Sequence, residues 1–157
     1  MRTIIHIVIT LVILGIMFVL ASLVSNEVAW NDAPGFAVRL QTYLTTNVAE
    51  TSEHSAFPEL RTRHFQAPPA EMLTHVRTAI QALGWTVTAE AMGPPRISAV
   101  VTTPWLRFKD DVIVSIKPSG SGSAVHVTSR SRIGKGDLGA NAHHIRRLYR
   151  QLDDHVR

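Results

Sequence analysis

Two runs in this chain concentrate the residue types that do chemistry. They are Phe108-Lys109-Asp110-Asp111-Val112 and Ser129-Arg130-Ser131-Arg132-Ile133-Gly134-Lys135-Gly136-Asp137-Leu138-Gly139-Ala140-Asn141-Ala142. Gly134, Gly136 and Gly139 permit tight turns and close approach of the backbone to a partner. Asp137 or Asn141 can cap the helix that follows. A helix N-terminus beside Arg130, Arg132 and Lys135 would attract a phosphate or carboxylate. The plainer alternative is a strand-to-helix connection with a cap and a solvated ion pair, and glycine spacing does not choose between the two. Lys109, Asp110, Asp111, Arg130, Arg132, Asp137 and Asn141 are therefore candidates for binding an anion or a partner. Asp110 and Asp111 are adjacent, so on a strand they point to opposite faces. That geometry does not suit a cooperating acid–base pair.

Other chemistries are poorly served. The chain has no cysteine, which excludes a disulfide scaffold, a thiolate nucleophile, an iron–sulfur cluster and a Cys-based zinc site. Of its eight histidines, His143 and His144 are neighbours about 100° apart on a helix, a poor chelate. There is no HExxH pattern, so no metal site is expected. Ser119, Ser121 and Ser123 lie in a loop without the strand–turn–helix setting of a nucleophile elbow. No phosphate-binding loop or dinucleotide fingerprint occurs. No residue is assigned a catalytic role, and no cofactor is expected.

The elements that must position the two runs follow from hydrophobic periodicity. Leu60 to Gln66 reads as a strand. Pro68-Pro69 opens a helix in its first turn, where a missing N–H is harmless. Met72, Val76, Ile80 and Leu83, with Leu73 beside them, form its apolar stripe, and Gly84 ends it. Trp85 to Ala91 is rich in β-formers, with Trp85, Val87 and Ala89 on one side, and Gly93-Pro94-Pro95 turns the chain. Ile97, Ala99 and Val101 alternate as the next strand. Asp111–Lys117 and Ala124–Arg132 are the clearest strands, joined by a Ser/Gly hairpin loop over 118–123. A final helix spans about Asn141 to Val156, with Ile145, Leu148, Leu152 and Val156 inward. The order β-α-β-β-β-β-α predicts a two-layer α+β domain, an antiparallel sheet of about five strands with two helices on one face. Trp105 is expected to be core.

The hairpin permits a register. Pairing Ile116 with Val125 sets Val114 opposite Val127 and Val112 opposite Ser129 on the core side. It also sets Ser115 opposite His126, and Asp111 opposite Arg130, on the other face. A slip of one residue would bury Arg130 and Arg132. An Asp111–Arg130 pair on the face away from the helices is therefore predicted.

Upstream, residues 3–26 contain no Asp, Glu, Lys or Arg. About 20 such residues, as a helix rising 1.5 Å each, cross the roughly 30 Å hydrocarbon layer. The apolar run exceeds the roughly 7–15 residues of a secretory signal, so an uncleaved anchor is expected. Arg2 flanks it on one side, and Glu27 and Asp32 on the other, which predicts the N-terminus inside and the domain outside. Trp30 then falls at the membrane–water boundary. The expected organisation is an anchor over 1–27, a connector with a short helix over 28–56, and a soluble α+β domain over 57–157. In the connector, Phe36, Leu40 and Leu44 form the apolar face of the short helix, and Thr45 to Ala56 reads as a polar surface loop. Residues 1–129 carry nine basic and nine acidic side chains, whereas residues 130–157 carry seven against three, so the net charge of +4 lies in the C-terminal stretch. On a tethered protein that excess points to lipid or a protein partner rather than nucleic acid. Arg146, Arg147 and Arg150 share the outer face of the last helix, either facing headgroups or simply solvating it.

RLQTYLTTNVAET (39–51), PELRTRHF (58–65), ALGW (82–85), TTPWLRFKDDV (102–112) and SRSRIGKGDLGANAHHIRRL (129–148) resemble the Domain of Unknown Function 1499 (DUF1499) family. The resemblance covers nearly all of residues 34–152. It implies a mostly bacterial lineage with hydrophobic N-terminal segments, and hence a single-pass protein of the bacterial inner membrane. It supplies no catalytic residues. Two functional readings follow. The first is a membrane-anchored, periplasmic binding or envelope-associated module. Its partners would be the bilayer through residues 3–26 and a lipid or envelope protein, with no nucleic acid. A curved sheet gripping a long terminal helix also invites analogy with START-like lipid carriers. The second is an enzyme acting on an anionic substrate through Asp110 or Asp137 with Arg130 and Arg132, which needs a cleft where these groups converge.

Overall fold

The computed structural model describes residues 1–104 and 106–156. Trp105 lies outside the described residues. The chain runs α1 (Arg2–Ser25), α2 (Phe36–Thr45), β1 (Val48–Glu50), a 3-10 turn (Pro58–Leu60), β2 (Arg63–Phe65), α3 (Pro69–Ala82), β3 (Thr86–Met92), β4 (Pro95–Thr102), β5 (Lys109–Ser119), β6 (Gly122–Ser131) and α4 (Ala140–His155). The strands form one antiparallel sheet in the order β1-β6-β5-β4-β3. β1 and β2 share the outer edge of β6, one at each of its ends. Helices α3 and α4 lie side by side against one face, so the architecture is the expected two-layer α+β arrangement with an apolar helix in front of it.

Strand parity builds the core. Ile97, Ala99 and Val101 of β4, Val112, Val114 and Ile116 of β5, and Val125 and Val127 of β6 all point to the helices and are buried. They meet Met72, Leu73, Val76 and Ile80 from α3 and Ile145, Leu148, Tyr149 and Leu152 from α4. The Tyr149 hydroxyl donates to the Val125 carbonyl at 2.8 Å, so even this buried phenol is satisfied. These side chains fill the space between sheet and α4, which removes the ground for a carrier cavity there. The sheet's other face is open.

The β5–β6 register matches the expected one at every pair: Ile116 with Val125, Val114 with Val127, Val112 with Ser129, Ser115 with His126, Asp111 with Arg130. The turn is tighter than expected. Ser119 pairs with Gly122, leaving only Gly120-Ser121 between the strands, and Gly120 takes φ +57°, where glycine is unstrained. A Cβ on Gly122 would overlap the Phe65 carbonyl, so β2 packs here only because residue 122 has no side chain.

Several local expectations are corrected by tertiary context. Leu60–Gln66 is not one strand: Pro58–Leu60 coils as a 3-10 turn and only Arg63–Phe65 pairs. β3 is an edge strand whose residues are all exposed, and a register shift between Val87 and Ala89 breaks its alternation, so only Trp85, just ahead of it, reaches the core. Thr45–Ala56 is not simply a surface loop, because Val48–Glu50 adds a strand to the sheet. In α2 the buried residues are Arg39 and Tyr43, while Phe36 is 59 % and Leu44 47 % exposed.

Candidate functional site

The two chemistry-bearing runs meet where β5 begins, β6 ends and α4 starts. Because Val112 and Val114 face the helices, Asp110 must face them too, and it is 2 % exposed. The same parity on β6 turns Ser129 and Ser131 inward, and the register sets Asp110 opposite Ser131. From α4, Asn141 and His144 stand one turn apart on one face and reach the same spot.

Asn141 is the hub. Its Oδ1 accepts from the Ser129 hydroxyl at 2.6 Å. Its Nδ2 lies 2.6 Å from Asp137 Oδ2, 2.9 Å from the Asn47 carbonyl and 3.0 Å from Ser131 Oγ. Asp137 accepts from the Gly139 N–H at 2.8 Å and from the Asn141 N–H at 3.2 Å, satisfying N–H groups at the start of α4. Gly139 takes φ +84° to turn the chain into the helix, with Val28 and Tyr43 packed over it. Burial pushes the Asp137 carboxyl above the usual range, against the lowering effect of these hydrogen bonds. Burial likewise raises Asp110, with the Ser131 hydroxyl partly offsetting it.

His144 Nδ1 sits 3.4 Å from Ser129 Oγ and 3.7 Å from Asp110 Oδ2, and its ring meets the Trp85 ring edge-on with centroids 5.9 Å apart. Burial pushes its pKa down to about 3, helped by His143 and Arg147. His144 is therefore neutral at physiological pH, and its approach to Asp110 is not a charged pair. Ser129, His144 and Asp110 have the residue types of a nucleophile relay. However, the Ser129 hydroxyl is spent on Asn141, and the three residues are 0, 6 and 2 % exposed. What the cluster does is fasten the start of α4 to the end of the sheet.

A pH dependence follows with a definite sign. In the unfolded chain a histidine protonates below about pH 6.5. Folded His144 resists until about pH 3. The unfolded state therefore binds more protons between those values, and stability falls as pH drops through that window. The raised carboxyls of Asp110 and Asp137 act oppositely: they favour the folded state at low pH and lose that contribution as pH rises. His144→Asn isolates the histidine. Between pH 7 and pH 5 the wild type is expected to lose about 2 kcal/mol more stability than His144→Asn. Urea titrations of the full chain in detergent at both pH values measure this, and equal losses would mean His144 titrates normally when folded.

The seven sequence candidates are thus divided by the sheet. Asp110, Asp137 and Asn141 lie in the buried cluster. Asp111, Arg130 and Arg132 lie on the open face, and Lys109 shares their strand parity. Asp111 faces Arg130 across the strands as expected, but its ion pair goes to Arg132, with Nε 2.9 Å and Nη2 2.6 Å from the carboxylate. The arginine one pleat further along reaches back diagonally and presents a bidentate fork. The hydrogen bond from Arg132 holds the Asp111 carboxyl below the usual carboxylate range. Sequence reasoning did not single out Ser129, Ser131, His144 or Asn47. The register already set Ser129 on the core side, the same parity extended to Ser131 would have completed the pair, and the Asn141-to-His144 spacing would have found the histidine. Asn47 carries no local signal.

A second locus joins α4 to the end of α1. Arg146 donates through Nη1 to the Glu27 carbonyl and through Nη2 to the Asn26 carbonyl. Asn26 Nδ2 donates to the Leu138 carbonyl at 3.0 Å, and Arg150 pairs with the Glu27 carboxylate at 2.8 Å. Cationic side chains thus sit on the carbonyl end of α1, where the helix dipole favours them.

The family described as Protein of unknown function (DUF1499) matches residues 39–152, most of the chain. The protein belongs to that family. No curated protein matches the chain.

Proposed function

We propose that this protein is a membrane-anchored binding module of the bacterial envelope, with α1 in the inner membrane and the α+β domain in the periplasm. One observation carries the reading: α1 leaves its apolar side chains bare, yet its carbonyl end is gripped by the domain. Ile4, Leu11 and Phe18 are 66, 63 and 50 % exposed, while Leu23 is buried and Asn26 and Glu27 are held by Arg146 and Arg150. A bare apolar helix of this length needs a bilayer around it. The clamp at its end would hold the domain at the membrane surface rather than on a free tether. Arg2 at the opposite end supports the outward orientation. The bilayer is then the partner of residues 3–26, and a lipid or envelope protein, not nucleic acid, the partner of the domain.

The enzyme alternative through Asp110 or Asp137 with Arg130 and Arg132 has no observation in its favour, because the carboxyls and the arginines occupy opposite faces of the sheet.

Two measurements test the proposal. After alkaline carbonate extraction of cells expressing the full chain, the protein is expected in the membrane pellet at full mass. A C-terminal reporter active only outside the cytoplasm is expected to be active. Release into the supernatant would overturn the anchor, and a silent but well-expressed fusion would overturn the orientation.

A further inference from the structure

Where α1 leaves the bilayer, an open groove of about 470 Å³ lies between its end and the outer face of α4. Ser25 and Glu27 line it from the end of α1, and Arg147, Arg150, Gln151 and Asp154 from α4. Its depth relative to the membrane follows from the chain: Val24, the last apolar residue of α1, directly precedes Ser25. If α1 spans the bilayer, the groove opens at headgroup level.

The groove is not simply basic. Arg147 and Arg150 face Glu27 and Asp154, so the formal charges cancel, and burial with the neighbouring arginines pushes His143 toward its neutral form. Glu27 and Arg150 neutralise each other at 2.8 Å. Among the described residues, Arg147 and Asp154 have no such partner, and both line the same groove. They stand at i and i+7 on α4, on one stripe about 10 Å long, with Gln151 between them. A single small anion would satisfy Arg147 but meet Asp154 and Glu27. A ligand with both a phosphate and a primary ammonium would satisfy Arg147 at one end and Asp154 at the other.

We infer that this groove binds the headgroup of a zwitterionic phospholipid carrying a primary amine, its phosphate on Arg147 and Gln151 and its ammonium on Asp154. A guanidinium suits a phosphate diester. A primary ammonium donates hydrogen bonds to a carboxylate, which a quaternary ammonium cannot. The inference rests on the membrane reading above and names the lipid class which that reading leaves open. The bound lipid would lie beside α1 and bear on the same helix that Arg146 clamps, adding to the hold of the domain on the surface.

The test uses the full chain reconstituted in nanodiscs of mixed phosphatidylethanolamine, phosphatidylcholine and phosphatidylglycerol, then native mass spectrometry of the lipids it retains. The wild type is expected to retain one phosphatidylethanolamine in preference to the other two. Arg147→Gln is expected to weaken that retention about tenfold, the loss of one charge-assisted contact. Asp154→Asn is expected to move the preference to phosphatidylglycerol, because the repulsion of an anionic headgroup falls while Arg147 remains. Both positions lie outside the core, and thermal unfolding of each variant checks the fold. Unselective retention, a wild-type preference for phosphatidylglycerol, or unchanged selectivity in both folded variants would overturn the inference. Carbonate extraction of the same cells keeps the two failures apart: an integral protein without lipid selectivity sinks only this inference, whereas an extractable protein sinks the membrane reading itself.

Discussion

Arg39→Ala is expected to destabilise the full chain by about 3–5 kcal/mol, the cost of leaving a buried charge without its partner. Arg39 is completely buried, and the Glu59 side chain is 10 % exposed. The guanidinium donates to Glu59 Oε1 at 2.5 Å and Oε2 at 3.0 Å, to the Asp32 and Ala33 carbonyls at 3.2 and 2.5 Å, and to the Tyr43 hydroxyl at 3.0 Å. It also lies 5.1 Å from the centre of the Phe57 ring. Burial alone would raise the Glu59 carboxyl, but the Arg39 hydrogen bonds hold it below its ordinary value. Removing Arg39 strands that carboxylate and frees two carbonyls that tie the α1–α2 connection to the helix. A fall in Tm of roughly 10 °C is expected for a chain of this size. The double variant Arg39→Met with Glu59→Leu removes both charges and is expected to be more stable than Arg39→Ala. A loss no greater than about 1 kcal/mol for Arg39→Ala would show that the pair behaves like an ordinary surface bridge.

Asn141→Ala is the second large expectation, at roughly 3 kcal/mol. One amide satisfies Ser129, Ser131, Asp137 and the Asn47 carbonyl, most of them shielded from water. Each buried polar group left without a partner costs about 1–3 kcal/mol. Ser129→Ala removes only one donor and is expected to cost about 1 kcal/mol. Chemical unfolding of the two variants side by side measures the difference. If Asn141→Ala costs no more than Ser129→Ala, the cluster is not organised around the amide. The expected rank also bears on the motifs: the residues that make the DUF1499 runs recognisable are then accounted for largely by fastening β5, β6 and α4 together.

The juxtaposition of Lys109, Asp110, Asp111, Arg130 and Arg132 in sequence suggested one site, and the pleat separates them into two. That separation was itself readable, because adjacent strand residues take opposite faces, and a buried Val112 commits Asp110 to the core side. The register set Ser129 on the core side opposite Val112, but it was not carried one pleat further to Ser131 opposite Asp110, which left the cluster's membership incomplete. His144 was set aside with His143 as a poor chelating pair; its spacing from Asn141, rather than from its neighbour, was the informative one.

By itself the sequence determined whatever is local or periodic: the apolar span of α1, the stripes of α3 and α4, the inward residues of β4, β5 and β6, and the β5–β6 register, which a one-residue slip would have ruined by burying arginines. These are set by repeats of about 3.6 and 2 residues, visible within a single element. Tertiary structure alone decided the long-range polar contacts. Asn141 reaches the Asn47 carbonyl across 94 residues, and Arg146 reaches the Asn26 carbonyl across 120. It also decided that α2 buries Arg39 and Tyr43 rather than Phe36 and Leu44, since a charged residue is accepted in a core only when a distant Glu59 arrives to meet it. No periodicity announces such a meeting, because its energy depends on two chain segments arriving at one place.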